Sequence, residues 1–262
     1  TYNRIGGALE NQLKPFASTN EQLQRLVAVA LGVWSVESSS LGGFGGPELN
    51  GKPQPTIRVE THWICWNLYG KASCNSNDAA QADFRKYFNY TVDSNAQRVC
   101  WVANCPVNGP YDQAHGWDWF HGSQTREYQV LDDTAIQKLA NGDAAKAELI
   151  RQSTSMGGPQ IMGFNYGDLM NPNSSGGARY SSATEMFNAF SQSEFAHVKG
   201  FVDYLTNHQA VYSDGSPVCG SYKTPMPYAQ NQDFNGLSCA YNGTSANASW
   251  YSNGYTYAKE VL

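Results

Sequence analysis

A mainly α-helical fold with a small β element (α+β), built as one domain over residues 1–262, is what the hydrophobic patterning predicts. Apolar side chains recur every three to four residues in several stretches that open on helix-capping signals. Only one short stretch, residues 56–60, alternates as a half-buried strand does. No internal repeat, linker or second hydrophobic core interrupts the chain, which is long enough to bury a sizeable core.

Residues 1–17 read as a short lead-in helix. Residues 20–37 follow, with Leu23, Leu26, Val27, Ala30, Leu31 and Trp34 along one helix face. Both Ser18-x-x-Glu21 and Thr19-x-x-Gln22 fit a capping box at its start. The glycines after Ser38, together with Pro47, cannot continue a helix, so Glu37 closes it. Within Thr56–Glu60, Ile57 and Val59 point one way and Arg58 and Glu60 the other, and the aromatic stretch Thr61 to Tyr69 begins a helix. Residues at about 70–125 have weak periodicity and hold the Cys100/Cys105 pair together with Cys74, the partner expected for Cys65, and read as a disulfide-stapled insertion. Residues 132–151 give two short helices around Asn141-Gly142. Ser182-x-x-Glu185 caps a helix with Met186, Phe187 and Phe190, and the next helix aligns Phe195, Val198, Phe201, Val202 and Leu205. From Val211 onward the tail reads as loop.

Composition narrows the function classes. Charged residues make up 15% of the chain, against about 25% in typical soluble proteins, while 16 Tyr, 7 Trp and 11 Phe are abundant. This balance suits a carbohydrate-active protein, because aromatic faces stack on sugar rings and amides bond hydroxyls. A net charge of -5 argues against a nucleic-acid partner and against capture by an anionic surface. No apolar run approaches the length of a membrane span, so no membrane association is expected. Nearest-neighbour pairing of the cysteines (Cys65/Cys74, Cys100/Cys105, Cys219/Cys239) closes short loops without threading. Disulfides are favoured over metal, since no CxxC or His pattern completes a zinc site. Asn89, Asn173, Asn242 and Asn247 each begin a glycosylation sequon. The chain starts without a leader, as a mature processed protein would. A secreted, extracellular monomer is expected.

Two carboxylates have contrasting local contexts. Glu37 ends an apolar helix, where desolvation and the negative end of the helix dipole favour the protonated acid. Glu60 leaves a strand at a helix N-terminus beside Arg58, and both neighbours favour ionisation. A raised acid beside a lowered carboxylate is how glycosidases divide proton donation from nucleophilic or base work. An ordinary Arg58–Glu60 salt bridge is the simpler account of Glu60. Rival chemistries lack support: there is no HExxH, P-loop, GxSxG or GxGxxG, so neither metal nor cofactor is expected. His115 and His121 flank an aromatic loop and fit structural or sugar-contact roles better than metal binding.

These residues resemble a known family. Trp34-SVESSSLGGFG-Gly45 followed by Pro55-TIRVETHW-Trp63 is similar to the "VES-G…G-P-I-x-FE-x-H" core of phage-endolysin-type N-acetylmuramidase domains. Thr154-SMGGPQIMGFNY-Tyr166 is similar to their "SWGLFQIMGFNY" segment, and Arg126-EYQVL-Leu131 to an "EW/EY-x-x-L" run before it. Ser193-EFAHVKGFVDYL-Leu205 resembles a later family helix, and Phe234-NG-Gly236 with Tyr251-SNGYTYAKEVL-Leu262 resembles the terminal stretch.

The resemblance implies a lysozyme-like domain over residues 1–262, a glycoside hydrolase cleaving the β-1,4 bond after N-acetylmuramic acid in bacterial peptidoglycan. Glu37 matches the family's catalytic acid. Glu60 matches its second acidic residue, with His62 close by. Gln160, Asn165 and Tyr166 match the core motif, as substrate contacts or as supports. Met156-Gly157-Gly158-Pro159 departs from the family's Trp-Gly-Leu-Phe. Disulfides and sequons point to a secreted eukaryotic relative, a fungal one being the expectation. Trp63, Trp66, Trp117 and Trp119 are candidates for stacking on saccharides, the first two also for the core. A lytic transglycosylase, which releases an anhydro product without water, and a non-catalytic peptidoglycan-binding domain are the alternatives. The separation of the two carboxylates would decide between inversion and retention.

Overall fold

The structure is a computed structural model that describes residues 2–38, 43–49, 51–71, 73, 123–129, 131, 139–169 and 177–262. It is mainly helical with one small sheet, as expected. The chain forms two compact units. The first comprises Thr1–Phe44, Met156–Ile161 and Asn165–Leu262, and the second Gly45–Ser155 and Met162–Phe164.

In the first unit, α1 (Tyr2–Leu13) leads through a 3-10 turn into α2 (Asn20–Glu37). Of the two possible capping boxes, the one on Thr19 forms. Its hydroxyl accepts from the Gln22 amide at 3.1 Å, and the Gln22 side chain accepts from the Ser18 amide at 2.8 Å. Residues Leu26 to Trp34 are buried without a break, so this part of α2 is buried all round rather than along one stripe. Ser38 stops the helix, its amide and hydroxyl both donating to the Trp34 carbonyl.

The second unit holds β1 (Ile57–Val59), α3 (Thr61–Tyr69), α4 (Gln124–Gln129) and α5 (Ala144–Gln152). The β1 backbone is satisfied by side chains of α4. Gln124 accepts from the Ile57 amide and donates to its carbonyl, and buried Glu127 accepts from the Val59 amide at 2.8 Å. A strand flanked in this way offers no open edge for another chain to pair with. Asn67 of α3 donates to the Ser153 hydroxyl at the end of α5. The remaining strands are β2 (Thr154–Met156) and β3 (Ile161–Met162), and the sheet order is β1-β2-β3.

Back in the first unit, α6 (Ala183–Gln192) begins on Ser182 and α7 (Glu194–Asn207) on Ser193, each hydroxyl accepting from the first turn. The tail corrects the sequence reading. Beyond Val211 it contains α8 (Pro225–Gln230), α9 (Phe234–Asn242) and α10 (Ala248–Val261). Pro225 sits in the first turn of α8, and α9 runs from an Asp233 cap to left-handed Gly243. In α10 the glycine that weakens the helical signal is needed for packing. A Cβ on Gly32 of α2 would lie 2.6 Å from the Tyr255 nitrogen and 2.9 Å from the Gly254 carbonyl carbon, so the two backbones touch. The Cys219–Cys239 pairing is present, with Cα atoms 5.5 Å apart. Cys65 is disulfide-bonded. Cys74, Cys100, Cys105, Asn89, Asn173, His115, His121, Trp117 and Trp119 lie outside the described residues, as does most of the expected insertion.

Candidate active site

Glu37, in the last turn of α2, is half-buried. Two side chains more than two hundred positions away reach its carboxylate. The Tyr251 hydroxyl donates to Oε1, and the Asn242 amide donates to the same oxygen at 3.0 Å. Asn242 also lies 2.7 Å from the Tyr251 hydroxyl, so the three groups form a closed triangle. Two donors on Oε1 make it the carbonyl-like oxygen and direct a bound proton to Oε2. Tyr251 is held as a neutral donor. Burial pushes its phenol well above the ordinary range, and the adjacent Glu37 charge pushes in the same direction.

Behind Tyr251 stands a layer of buried tyrosines. Tyr241 meets Tyr251 edge-on at 6.4 Å and Tyr204 at 5.0 Å. Their phenols are raised chiefly by burial, with the Glu37 charge contributing to both. The Tyr241 hydroxyl donates to the Pro159 carbonyl at 2.6 Å, and that of Tyr204 to the Tyr241 carbonyl at 3.2 Å. The carboxylate is therefore backed by buried, hydrogen-bonded aromatic rings.

The segment carrying the expected Gln160, Asn165 and Tyr166 joins this layer. Asn165 donates to the Tyr204 hydroxyl at 3.3 Å, and Gln160 donates to the Gly157 carbonyl at 2.7 Å, bracing its own turn. Tyr166 lies half-buried in the 3-10 turn Gly163–Asp168. Gly158, where the family pattern has leucine, faces the Trp34 indole. A Cβ there would be 1.9 Å from the ring, so in this chain Trp34 occupies the space a larger residue would need. The His197 ring packs among Trp34, Phe44 and Phe190. Its Nε2 donates to the Phe190 carbonyl at 2.7 Å while Nδ1 accepts from the Gly158 amide at 3.4 Å. Burial lowers its pKa to about 4 and keeps it neutral.

Glu60 belongs to the second unit and directly precedes α3. Arg58 Nε bonds its Oε1 at 2.9 Å, and the Glu60 side chain is 14% exposed against 45% for Arg58. The simple ion pair is thus present. His62 lies in the first turn of α3, and its side chain is outside the described residues. Trp63 packs edge-on against Trp66 and, at 4.8 Å, against Phe164, which gives both indoles a packing role. Among the described residues no cluster of His, Cys, Asp and Glu could hold a metal, and no helix is long and apolar enough to cross a membrane.

The structure brings Glu37, Tyr251 and Asn242 together, and the last two carried no catalytic expectation. The terminal resemblance covered the Tyr251 stretch without assigning its side chain a role, and Asn242 stood out only as a sequon.

No curated protein matches the chain. Its fold is similar to that in the crystal structure of Burkholderia AP3 phage endolysin, with a TM-score of 0.50 and 18% identity over 97% of this chain and 70% of that one. A sequence profile of the N-acetylmuramidase family matches residues 26–258. That span takes in the buried part of α2 with Glu37, the segment with Gln160 and both donors to the carboxylate, and the chain belongs to the N-acetylmuramidase family.

Proposed function

We propose that the chain is a secreted lysozyme that hydrolyses the β-1,4 bond between N-acetylmuramic acid and N-acetylglucosamine in bacterial peptidoglycan. The observation that carries the reading is the Glu37 triangle: a half-buried carboxyl at the end of a buried helix, with one oxygen fixed by Tyr251 and Asn242. Glu37 protonates the glycosidic oxygen from Oε2 as the bond breaks. The neutral hydroxyl and amide on Oε1 stabilise the carboxylate that remains, and the same group can then take a proton back. Glu60, paired with Arg58, serves as the second carboxylate, stabilising the oxocarbenium-like transition state or activating water.

The test is clearing of a Gram-positive cell-wall suspension by wild type, Glu37→Gln and Glu60→Gln, with folding checked in each. Glu37→Gln should lose clearing by at least about a hundredfold, the scale of one general acid, while still binding walls. A Glu37→Gln variant that clears normally would refute the assignment. Mass analysis of the released fragments checks the reaction, because products lighter by one water would make the enzyme a transglycosylase.

A further inference from the structure

Asn242 holds the Glu37 oxygen from the last position of α9, and a helix end is where backbone carbonyls lack partners within the helix. The Tyr241 carbonyl belongs to the peptide unit that joins Tyr241 to Asn242. Its partner is the Tyr204 hydroxyl, at 3.2 Å. Where the Tyr204 ring stands therefore helps to set the direction of the Asn242 side chain.

The Tyr204 ring is itself held. His208 lies flat on it, with ring centroids 4.3 Å apart and planes 16° apart. The His208 amide closes α7 by donating to the Tyr204 carbonyl at 3.0 Å, so main chain and ring tie the two residues together. His208 Nδ1 lies 2.8 Å from Asp168 Oδ2, which fixes the orientation of the imidazole. Asp168 ends the 3-10 turn whose Asn165, one turn earlier, donates to the Tyr204 hydroxyl. Glu37 and all of these residues lie in the first unit. The His208 and Asp168 side chains are 21% and 38% exposed. A pair so open to water adds little to stability, and its effect falls on the ring it orients.

We propose that His208, oriented by Asp168, is a positioning residue for the candidate acid: it fixes the Tyr204 ring, whose hydroxyl fixes the peptide unit before Asn242 and so the amide that holds Glu37. This rests on the muramidase reading above and deepens it, the effect reaching the carboxyl through Tyr204 and Asn242.

The test follows the Glu37 carboxyl across pH by carbon-13 NMR, together with kcat and KM on soluble, peptide-free glycan oligomers. In His208→Ala the Tyr204 ring loses its support and the Asn242 bond to Oε1 weakens, which favours the protonated acid. The Glu37 titration midpoint should rise and kcat should fall by about tenfold, the scale of one hydrogen bond. KM should hold, because no substrate contact is removed. His208→Phe restores a flat ring without the imidazole's charge and should recover most of both losses. In an Asn242→Ala background, His208→Ala should move neither quantity further, because the path runs through that amide. An unmoved midpoint with full kcat in His208→Ala would overturn the proposal. So would a loss that His208→Phe does not recover, or one that persists undiminished beside Asn242→Ala. If His208→Ala does not fold, Asp168→Ala frees the ring to turn and should shift both quantities the same way by less, and unchanged values there overturn the proposal equally. The titration also separates the two readings. A shifted midpoint in a protein that never cleaves the glycan sinks only the hydrolase, whereas cleavage with unshifted variants sinks only the positioning role.

Discussion

Gly32→Ala would probe whether the contact between two helix backbones sets the catalytic geometry. The new Cβ would sit 2.6 Å from the Tyr255 nitrogen, 2.9 Å from the Gly254 carbonyl carbon and 3.2 Å from the Tyr251 carbonyl oxygen. Comfortable carbon contacts begin near 3.5 Å, so α10 must retreat from α2 by about 1 Å. All three clashing groups are backbone, and no flexible side chain can yield. Overpacking of this kind costs about 1–3 kcal/mol, offset by about 1 kcal/mol of improved helix propensity. The thermal midpoint should therefore fall by up to roughly 8 °C for a chain of this size. Activity should fall further than stability, because Tyr251 rides on α10 and its hydrogen bond to Glu37 on α2 would stretch by a similar distance. A misplacement near 1 Å at a reacting group costs on the order of a hundredfold in rate. Differential scanning calorimetry, with wall clearing per folded molecule at 25 °C, reads both effects. Gly7→Ala is the control, since a Cβ there meets nothing within 4 Å, and it should raise stability by about 1 kcal/mol. A Gly32→Ala protein with an unchanged midpoint and full activity would refute the reasoning.

Tyr251→Phe removes one donor to the Glu37 carboxylate, which favours the protonated acid. The alkaline limb of the pH–activity profile should shift to higher pH while the maximal rate falls, and a profile that stays in place would separate Tyr251 from the acid. His197 predicts a pH-dependent stability. Its folded pKa is depressed to about 4, so the unfolded chain takes up the proton first as pH drops below about 6.5. Stability is then lost between roughly pH 6.5 and 4, by about 3 kcal/mol in all. Urea unfolding at stepped pH should show this loss in wild type and a shallower one in His197→Gln, and parallel curves would exclude His197 as its source. Arg179 Nε bonds Asp203 at 2.7 Å, and the Asp203 side chain is 3% exposed. Arg179→Met should cost about 3–5 kcal/mol by leaving a buried carboxylate alone, and adding Asp203→Leu should recover most of it. Asn242 should carry no glycan in active protein, because a sugar on its nitrogen would stand beside the Glu37 oxygen 3.0 Å away. Peptide mapping of active material that shows occupancy there would contradict the geometry.

What the sequence determined by itself is local. The Thr19 cap, the apolar run of α2 and the glycines after Ser38 place Glu37 at a helix end, because capping and helical period act within a few residues. The same holds for the starts of α3, α6 and α7. The Cys219–Cys239 pairing was legible because the two are sequence neighbours in a tail with no other thiol. The tertiary structure alone decided what surrounds the carboxylate. Asn242 and Tyr251 lie 205 and 214 positions from Glu37, and no periodicity connects residues so far apart. The stretch that carries Tyr251 read as loop because its glycine at 254 lowers helix propensity, and that glycine is there for the backbone of α2. Propensity records the cost of a glycine within its own helix, whereas the closeness it permits to Gly32 exists only once the chain has folded.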